Sequence, residues 1–382
     1  MSINYLAPSP YASFVTRNGA FQADVNGLIS NVGAGAQALD LLEEGCVPLA
    51  FNPFANFRNL IDGGDFSINP FQRNIPGLAS GGVTSTAIAA TPTYFADRFF
   101  AAGGASSAIL MAAVADASLV GFNQSLRISR QSGNANTATI SVGQVIETFD
   151  ALRCQGQTVT LSFWAKAGAS YSGGALSVQV ACGTGTNQSA ASLLASTWSS
   201  QAAVIVATQT LTTGMTRYQF TGVVPTNATQ LAVLLSFTPS GTAGADDSVS
   251  INGVQLEIGA SASPFERIDA QVVLEMCQRY GWVQPEPASG VVLGSGANTG
   301  SASQLIYLAT PVPLLKAPTV TVSAGTFKTN QAGVATATTI SPGATHTPNA
   351  ISINGNSTGT AGQATMLQGG GGSGWILVSA DF

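Results

Sequence analysis

Charge is what this chain has least of. Only 8% of its 382 residues are Asp, Glu, Lys or Arg, against about 25% in ordinary globular proteins. The formal net charge is −5 and the 13 Lys and Arg residues form no basic run, so nucleic-acid binding by phosphate neutralisation is excluded. No stretch reaches the ~18 apolar residues a membrane span needs, and no membrane insertion is expected. The opening MSINYLAPSP lacks the basic start and apolar core of a signal peptide, so the expected place of folding is a cytoplasm. Cys46, Cys154, Cys182 and Cys277 are far apart with no Cys-x-x-Cys pair, which points to free buried thiols. His346, in the loop ATHTPN, is the single histidine; a His-based triad and a multi-His zinc site are both excluded. The glycines of GAGAQ near residue 33 are not followed by Lys-Ser/Thr, so no nucleotide-phosphate loop is present.

Glycine, Ser, Thr, Ala and Asn fill the space between apolar runs, and 45% of the chain is hydrophobic. A Gly/Ser-rich chain of loose structure and an all-β protein with many turns both have such a composition. The arrangement decides between them. In Thr158 to Lys166, TVTLSFWAK, Val159, Leu161, Phe163 and Ala165 share one face of an extended strand. Thr158, Thr160, Ser162, Trp164 and Lys166 share the other. That alternation marks a strand with one face on a core and one toward water or a partner. A surface so poor in charge is best kept soluble by burial in a larger assembly, because interface cores are depleted of charge. A homo-oligomer is therefore expected, a trimer by analogy with fibres.

Three regions are expected: residues 1–58, 59–267 and 268–382. In the first, Tyr11–Val15 and Ala20–Ala23 read as strands around the turn Arg17-Asn18-Gly19, and Asn26-Gly27 as another turn. Ala36–Glu44 has helical spacing with Gly45 as its stop. The unit is too small for a large core of its own; it reads as a docking module, or as a cap on the next domain. Pro48–Phe57 is an apolar linker stiffened by two prolines. The second region carries about ten strand candidates: Asn59–Arg73, Tyr94–Arg98, Ser125–Ser129, Ala138–Val142, Thr158–Lys166, Ala175–Cys182, Ala203–Ala207, Arg217–Val223, Leu231–Phe237 and Ser248–Ile258. Their spacing suggests a jelly-roll-like β-sandwich. Val249 and Ile251 are out of phase with Val254, Leu256 and Ile258, and a bulge at Asn252-Gly253 restores the register. Asp269 is placed to cap a helix from Gln271 to Tyr280 with Val272, Val273, Met276, Cys277 and Tyr280 on one face. In the third region Gln304–Leu308, Thr319–Val322, Ala350–Asn354 and Trp375–Ala380 read as strands of a C-terminal β-domain, and Gly369–Gly374 as a flexible loop.

The segments NLIDGGDFSINPFQR, YFADRF, SLRISR, QTVTLSFWAKA, GVQLEIG, SPFER and MCQRYGW resemble, in this order, segments of phage tail-fibre and related virion proteins, over about residues 59 to 282. The sandwich they define is similar to carbohydrate-binding-module folds. The resemblance implies a non-enzymatic structural component of a bacteriophage virion, assembled in the host cytoplasm. Host-surface attachment through glycans and docking on other virion proteins through residues 1–58 are implied with it. It leaves open whether the particle part is a tail fibre or a capsid-bound decoration or head fibre.

Candidate site residues are few. A glycosidase needs two carboxylates across a cleft; Asp62, Asp65, Asp97, Asp116, Glu147, Asp246, Asp247 and Glu257 are present, but several stand at strand starts and turns, where Asp hydrogen-bonds backbone. No enzyme activity is expected. Asp65 and Glu257 invite a structural calcium between the first and last strands, as in sandwiches resembling this one; the other reading makes both ordinary strand-end hydrogen-bonders. Trp164, on the non-core face of its strand, is placed to stack on a sugar ring, or to be covered by the linker or another subunit.

Overall fold

The computed structural model describes residues 58–66, 86–88, 91–96, 98–103, 107–116, 118–119, 121–122, 124–300 and 303–381, together with the backbone of five strands before residue 49. It divides into two compact units, Met1–Arg58 with Ser263–Glu266, and Asn59–Ala262 with Arg267–Phe382.

In the first unit β1 (Ile3–Leu6) lies between β4 (Leu28–Val32) and β5 (Val47–Pro48) in an antiparallel sheet. β2 (Ser13–Thr16) and β3 (Gly19–Gln22) pair antiparallel with Thr16 opposite Gly19. That is the expected hairpin, shifted by one or two residues. The expected helix Ala36–Glu44, Cys46 and most of the linker Pro48–Phe57 lie outside the described residues.

The second unit opens with twelve strands: β6 (Thr86–Ile88), β7 (Thr93–Ala96), β8 (Phe99–Ala102), β9 (Ser107–Ala115), β10 (Gln124–Arg130), β11 (Ile140–Ile146), β12 (Thr158–Ala167), β13 (Leu176–Gly183), β14 (Ala202–Gln209), β15 (Thr216–Val223), β16 (Gln230–Phe237) and β17 (Ser248–Ile258). They build two six-stranded antiparallel sheets, β15-β12-β17-β10-β9-β6 and β14-β13-β16-β11-β8-β7. The fold is all-β, a jelly-roll-like sandwich. Val159, Leu161, Phe163 and Ala165 of β12, Val178 and Val180 of β13, and Leu231, Val233 and Leu235 of β16 meet in one core between the sheets, as alternation dictates.

The other face of β12 is not wet along its length. Thr160 and Ser162 are fully buried; Thr160 donates to Gly259 O at 2.7 Å and Ser162 accepts from Arg217 Nη2 at 3.2 Å. The outer face of the second sheet is also covered in part. The helix Ala190–Leu194 and Trp198 pack there with Phe100, Val145, Ala181 and Ala232. Burial on both faces explains why β11, ISVGQVI, shows no clean alternation and runs past its expected end. The register shift expected at Asn252-Gly253 is present: Ser162 pairs with Gln255 but Trp164 with Asn252, and Gly253 takes φ +54°, which suits glycine.

Asn59–Arg73 is a correction. Its described part, residues 59–66, is a turn rather than a strand. Asn59 Oδ1 accepts from Ile61 N and Leu256 N, Gly64 O accepts from Val254 N at 2.9 Å, and Phe66 holds φ +53°. The turn still buries Leu60, Ile61 and Phe66. Arg98 likewise ends Tyr94–Arg98 early, at φ +68°. Strands β8 and β9 were not legible, because FFAA and, after Ser107, AILMAAVA carry no polar residues to mark a period of two.

The expected helix is present as Ala270–Gln278, shorter than expected at its end, with Asp269 accepting from Gln271 N at 2.9 Å; Val273 and Cys277 are its buried stripe, and Tyr280 just beyond it is buried too. Ten strands follow: β18 (Gly281–Pro285), β19 (Val292–Gly300), β20 (Ser303–Ala309), β21 (Thr319–Val322), β22 (Lys328–Gln331), β23 (Val334–Ala337), β24 (Thr339–Pro342), β25 (Ala350–Asn356), β26 (Ala364–Gln368) and β27 (Trp375–Ser379). They form the sheets β18-β27-β21 and β23-β22-β26-β19-β20-β25-β24 around Trp282, Ile306, Leu308, Phe327, Ile351, Ile353 and Ile376. The run Gly369–Gly374 is not a free loop. Gly370, Gly372 and Gly374 each donate a backbone N–H to the Glu286 carboxylate, at 2.9, 3.2 and 3.0 Å. A Cβ at Gly374 would stand 2.7 Å from Glu286 Oε2, so the run is glycine because the backbone comes that close.

Candidate functional site

The turn after β11 reads ETFDALR and makes a four-residue helix, Thr148–Ala151. Ala151 faces the core and is buried. The helix then has to present Phe149 outward, and Phe149 is 80% exposed. It stands on the lip of a cavity of about 450 Å³, walled by Asp62, Glu147, Asp150, Arg279 and Tyr280.

Glu147, at the N-cap position, makes no side-chain cap bond. Its carboxylate accepts instead from Arg279 Nη2 at 2.9 Å and from the Tyr280 hydroxyl at 2.8 Å. Burial alone would raise its pKa, but those two donors outweigh it and hold Glu147 below the usual carboxylate range. Burial pushes Asp150 the other way, with help from the neighbouring Asp62 and Glu147 charges and against the pull of Arg153.

Behind this wall Arg98 is 1% exposed. Its guanidinium reaches Asp62 Oδ2 at 3.0 Å, Val145 O at 2.7 Å and Asp381 Oδ1 at 3.5 Å, and lies 3.4 Å from the centre of the Tyr280 ring. Burial disfavours that charge, yet Tyr280, Asp62 and Asp381 more than restore it and its pKa is raised. Gln144 fixes the Asp62 backbone, accepting from its N at 2.8 Å and donating to its O at 2.9 Å. The walls are therefore held in place by the fold. Chemically, the cavity offers hydrogen-bond acceptors on fixed walls beside one exposed aromatic ring.

The same geometry is poor for glycoside hydrolysis. Both Glu147 oxygens are engaged by cation and phenol and Asp62 Oδ2 by Arg98, so two of the three carboxylates are tied to structural partners rather than poised as an acid–base pair.

Trp164 is half-buried within a stack. Arg217 Cζ lies 4.6 Å from its ring centre, the Phe122 ring is 5.4 Å away, and Arg267 Cζ is 4.6 Å from the Phe122 ring. A Cβ on Gly253 would come within 2.5 Å of the indole, so the bulge glycine is also what lets the tryptophan lie down. The expected sugar contact at Trp164 therefore meets an indole already covered by Arg217.

Asp65 sits in the turn that runs beside β17, and Glu257 on β17 accepts from Gln255 Nε2 at 2.8 Å with the Arg217 charge beside it. Calcium takes six to eight oxygens; a carboxylate shared with an amide donor and a guanidinium does not fit that requirement. Among the described residues no group of three or more His, Cys, Asp or Glu is placed to share a metal ion. Asp97 lies outside the described residues, and Asp116 and Asp246 line a second cavity.

Sequence reasoning missed Phe149, Asp150, Arg98, Arg279 and Tyr280. The available signal was a lone Phe between Thr148 and Asp150 at a strand end. The other partners come from segments too far apart in sequence to be paired by inspection.

No family model matches the chain, and no curated protein matches it. Among solved structures it is similar to a family 4 carbohydrate-binding module (19% identity, 35% of this chain and 71% of the other, TM-score 0.24). It is similar also to a family 61 carbohydrate-binding module in complex with β-1,4-galactotriose (9% identity, 53% and 99%, TM-score 0.31). A third likeness is to the enzymatically active domain of bacteriophage CBA120 tailspike protein 4 (15% identity, 53% and 22%, TM-score 0.30), of which the chain spans about a fifth. At these scores the likenesses carry no argument, and the fold assignment rests on the sheet topology.

Proposed function

We propose that this protein is a non-enzymatic glycan-binding attachment component of a bacteriophage particle, and that the Phe149 cavity is its glycan site. The observation that carries the reading is the Phe149 ring, 80% exposed at the mouth of a walled polar cavity. An isolated exposed aromatic costs solubility, whereas one set beside fixed acceptors binds the CH face of a sugar while the acceptors take its hydroxyls. The order of the seven virion-protein-like segments in residues 59–282 supports the placement in a phage particle.

Each chain then contributes weak sites, and presentation in several copies on a particle turns them into firm attachment. A homotrimer and docking through residues 1–58 belong to the same proposal. A glycan array probed with wild type, Phe149→Ala and Trp164→Ala tests it. The expected result is at least one glycan whose binding Phe149→Ala abolishes and Trp164→Ala leaves in place; an array on which every bound glycan is insensitive to Phe149→Ala refutes the site. Release of reducing ends from any bound polysaccharide refutes the non-enzymatic reading. Deleting residues 1–58 and asking whether the chain still associates with purified tails or capsids separates a tail fibre from a capsid decoration.

A further inference from the structure

A second cavity, of about 540 Å³, lies at the far end of β12, one strand length or roughly 30 Å from the helix that carries Phe149. Its floor is set by sheet register. Arg127 of β10 pairs with Ser250 of β17, and Ser250 pairs with Lys166 of β12. Those three side chains form one row on the face turned away from the core, because alternate residues share a face.

Two ion pairs of opposite orientation form the walls. Lys166 Nζ is 2.7 Å from Asp116 Oδ2 and Arg127 Nη2 is 2.5 Å from Asp246 Oδ1. Each carboxylate is further fixed. Asp116 accepts from Ser118 N at 3.0 Å; Asp246 accepts from the Ser248 hydroxyl at 2.7 Å and from Ala169 N at 3.0 Å. Those contacts keep both ionised. For Asp116, the Lys166 and Ser118 bonds outweigh burial; for Asp246, the Ser248 bond leads. Val114, Ala115, Ala167 and Ala169 add apolar surface, and no aromatic residue lines the space.

This lining is balanced, with two cations each paired to a carboxylate. An anionic ligand would face Asp116 and Asp246, and a cationic one Arg127 and Lys166, each losing more than it gains. A neutral molecule with several hydroxyls suits it, because every hydroxyl both donates and accepts and the charged groups make the stronger kind of hydrogen bond. We propose that the Lys166–Asp116 and Arg127–Asp246 cavity is a second binding site, taking an uncharged polyhydroxylated ligand such as a neutral glycan segment by hydrogen bonding alone. It stands apart from the Phe149 reading; only together with that site would it make one chain bivalent.

The test uses the full chain, isothermal titration, and malto-, cello-, xylo- and mannohexaose as neutral probes with hexagalacturonate as the anionic one. In a Phe149→Ala background at least one neutral hexasaccharide is expected to bind with one site per chain. Hexagalacturonate is expected to bind at least tenfold more weakly. Ala169→Trp, at the exposed rim, is expected to weaken the neutral binding at least tenfold with an unchanged thermal midpoint. Thr213→Arg, on a separate loop at the same rim, gives the same reading should the tryptophan variant fold poorly. Absence of neutral binding in the Phe149→Ala background, insensitivity to both rim variants, or equal affinity for hexagalacturonate overturns the proposal. Wild-type binding that ignores Phe149→Ala but is lost in Ala169→Trp overturns the first site and upholds this one.

Discussion

Arg130 in the sandwich and Glu286 in the C-terminal sheets solve one problem with opposite charges. Each is a nearly inaccessible ionic group hydrogen-bonded to loop backbone. Arg130 is satisfied by an ion and by carbonyls: Asp247 Oδ2 at 2.8 Å, and the backbone oxygens of Asn136 at 2.7 Å, Gly241 at 3.1 Å and Asn134 at 3.2 Å. Among the described residues Glu286 has no cation as a hydrogen-bond partner. It is satisfied by N–H and O–H dipoles alone, from Thr326, Gly370, Gly372 and Gly374. A chain this poor in charge places some of it at loop junctions. A buried cation organises carbonyls, and a buried anion organises amide hydrogens; glycine is needed in the second case because only a bare backbone crowds around a carboxylate.

The comparison breaks most visibly at Arg130. Arg130→Ala strands the Asp247 carboxylate at 0% exposure, and urea unfolding should show a loss of about 3–5 kcal/mol. The double variant Arg130→Met with Asp247→Leu should cost less than the single one, because no charge is left unpaired. Glu286→Gln should cost less, about 2–3 kcal/mol, with a local signature: faster hydrogen exchange at Gly370, Gly372 and Gly374, and none at 134–136.

Acid sharpens the same contrast. Burial would raise the Glu286 pKa, but the Thr326 hydroxyl and the backbone donors prevail and lower it from 4.5 to about 2. The folded value lies below the ordinary one, so its stabilisation is complete above pH 4.5 and is lost as pH falls toward 2. Protection of the three glycine amides should follow that course in a pH series. The smallest effect belongs to Phe149. Its removal should change stability by no more than about 0.5 kcal/mol, against about 3–5 kcal/mol for the buried Phe163→Ala, since one ring faces solvent and the other the core.

How much of this could be read in advance follows from the range of each interaction. Alternation in TVTLSFWAK placed the inner face of β12, and the phase change around Asn252-Gly253 placed the bulge, because both are written in neighbouring residues. Asp269 announced its helix for the same reason. β8 and β9 escaped and β11 ran past its expected end at Val142, because unbroken apolar sequence or burial on both faces erases the period. Asn59–Arg73 misled because, in its described part, Leu60, Ile61 and Phe66 insert from a turn held by Asn59 and Gly64. The Phe149 cavity draws on Asp62, Glu147 and Arg279, and Arg130 depends on an aspartate 117 positions away. No local pattern marks such pairs. Trp164 was legible as an outward residue, but the guanidinium that lies over it comes from the partner strand.

The most direct test places 4-fluorophenylalanine at position 149 of the full chain and follows its fluorine resonance during titration with the best glycan from the array. A saturable shift whose midpoint matches the calorimetric affinity is the predicted result. A fluorine resonance that stays fixed while the glycan binds with full affinity would contradict the assignment of the glycan site to the Phe149 cavity.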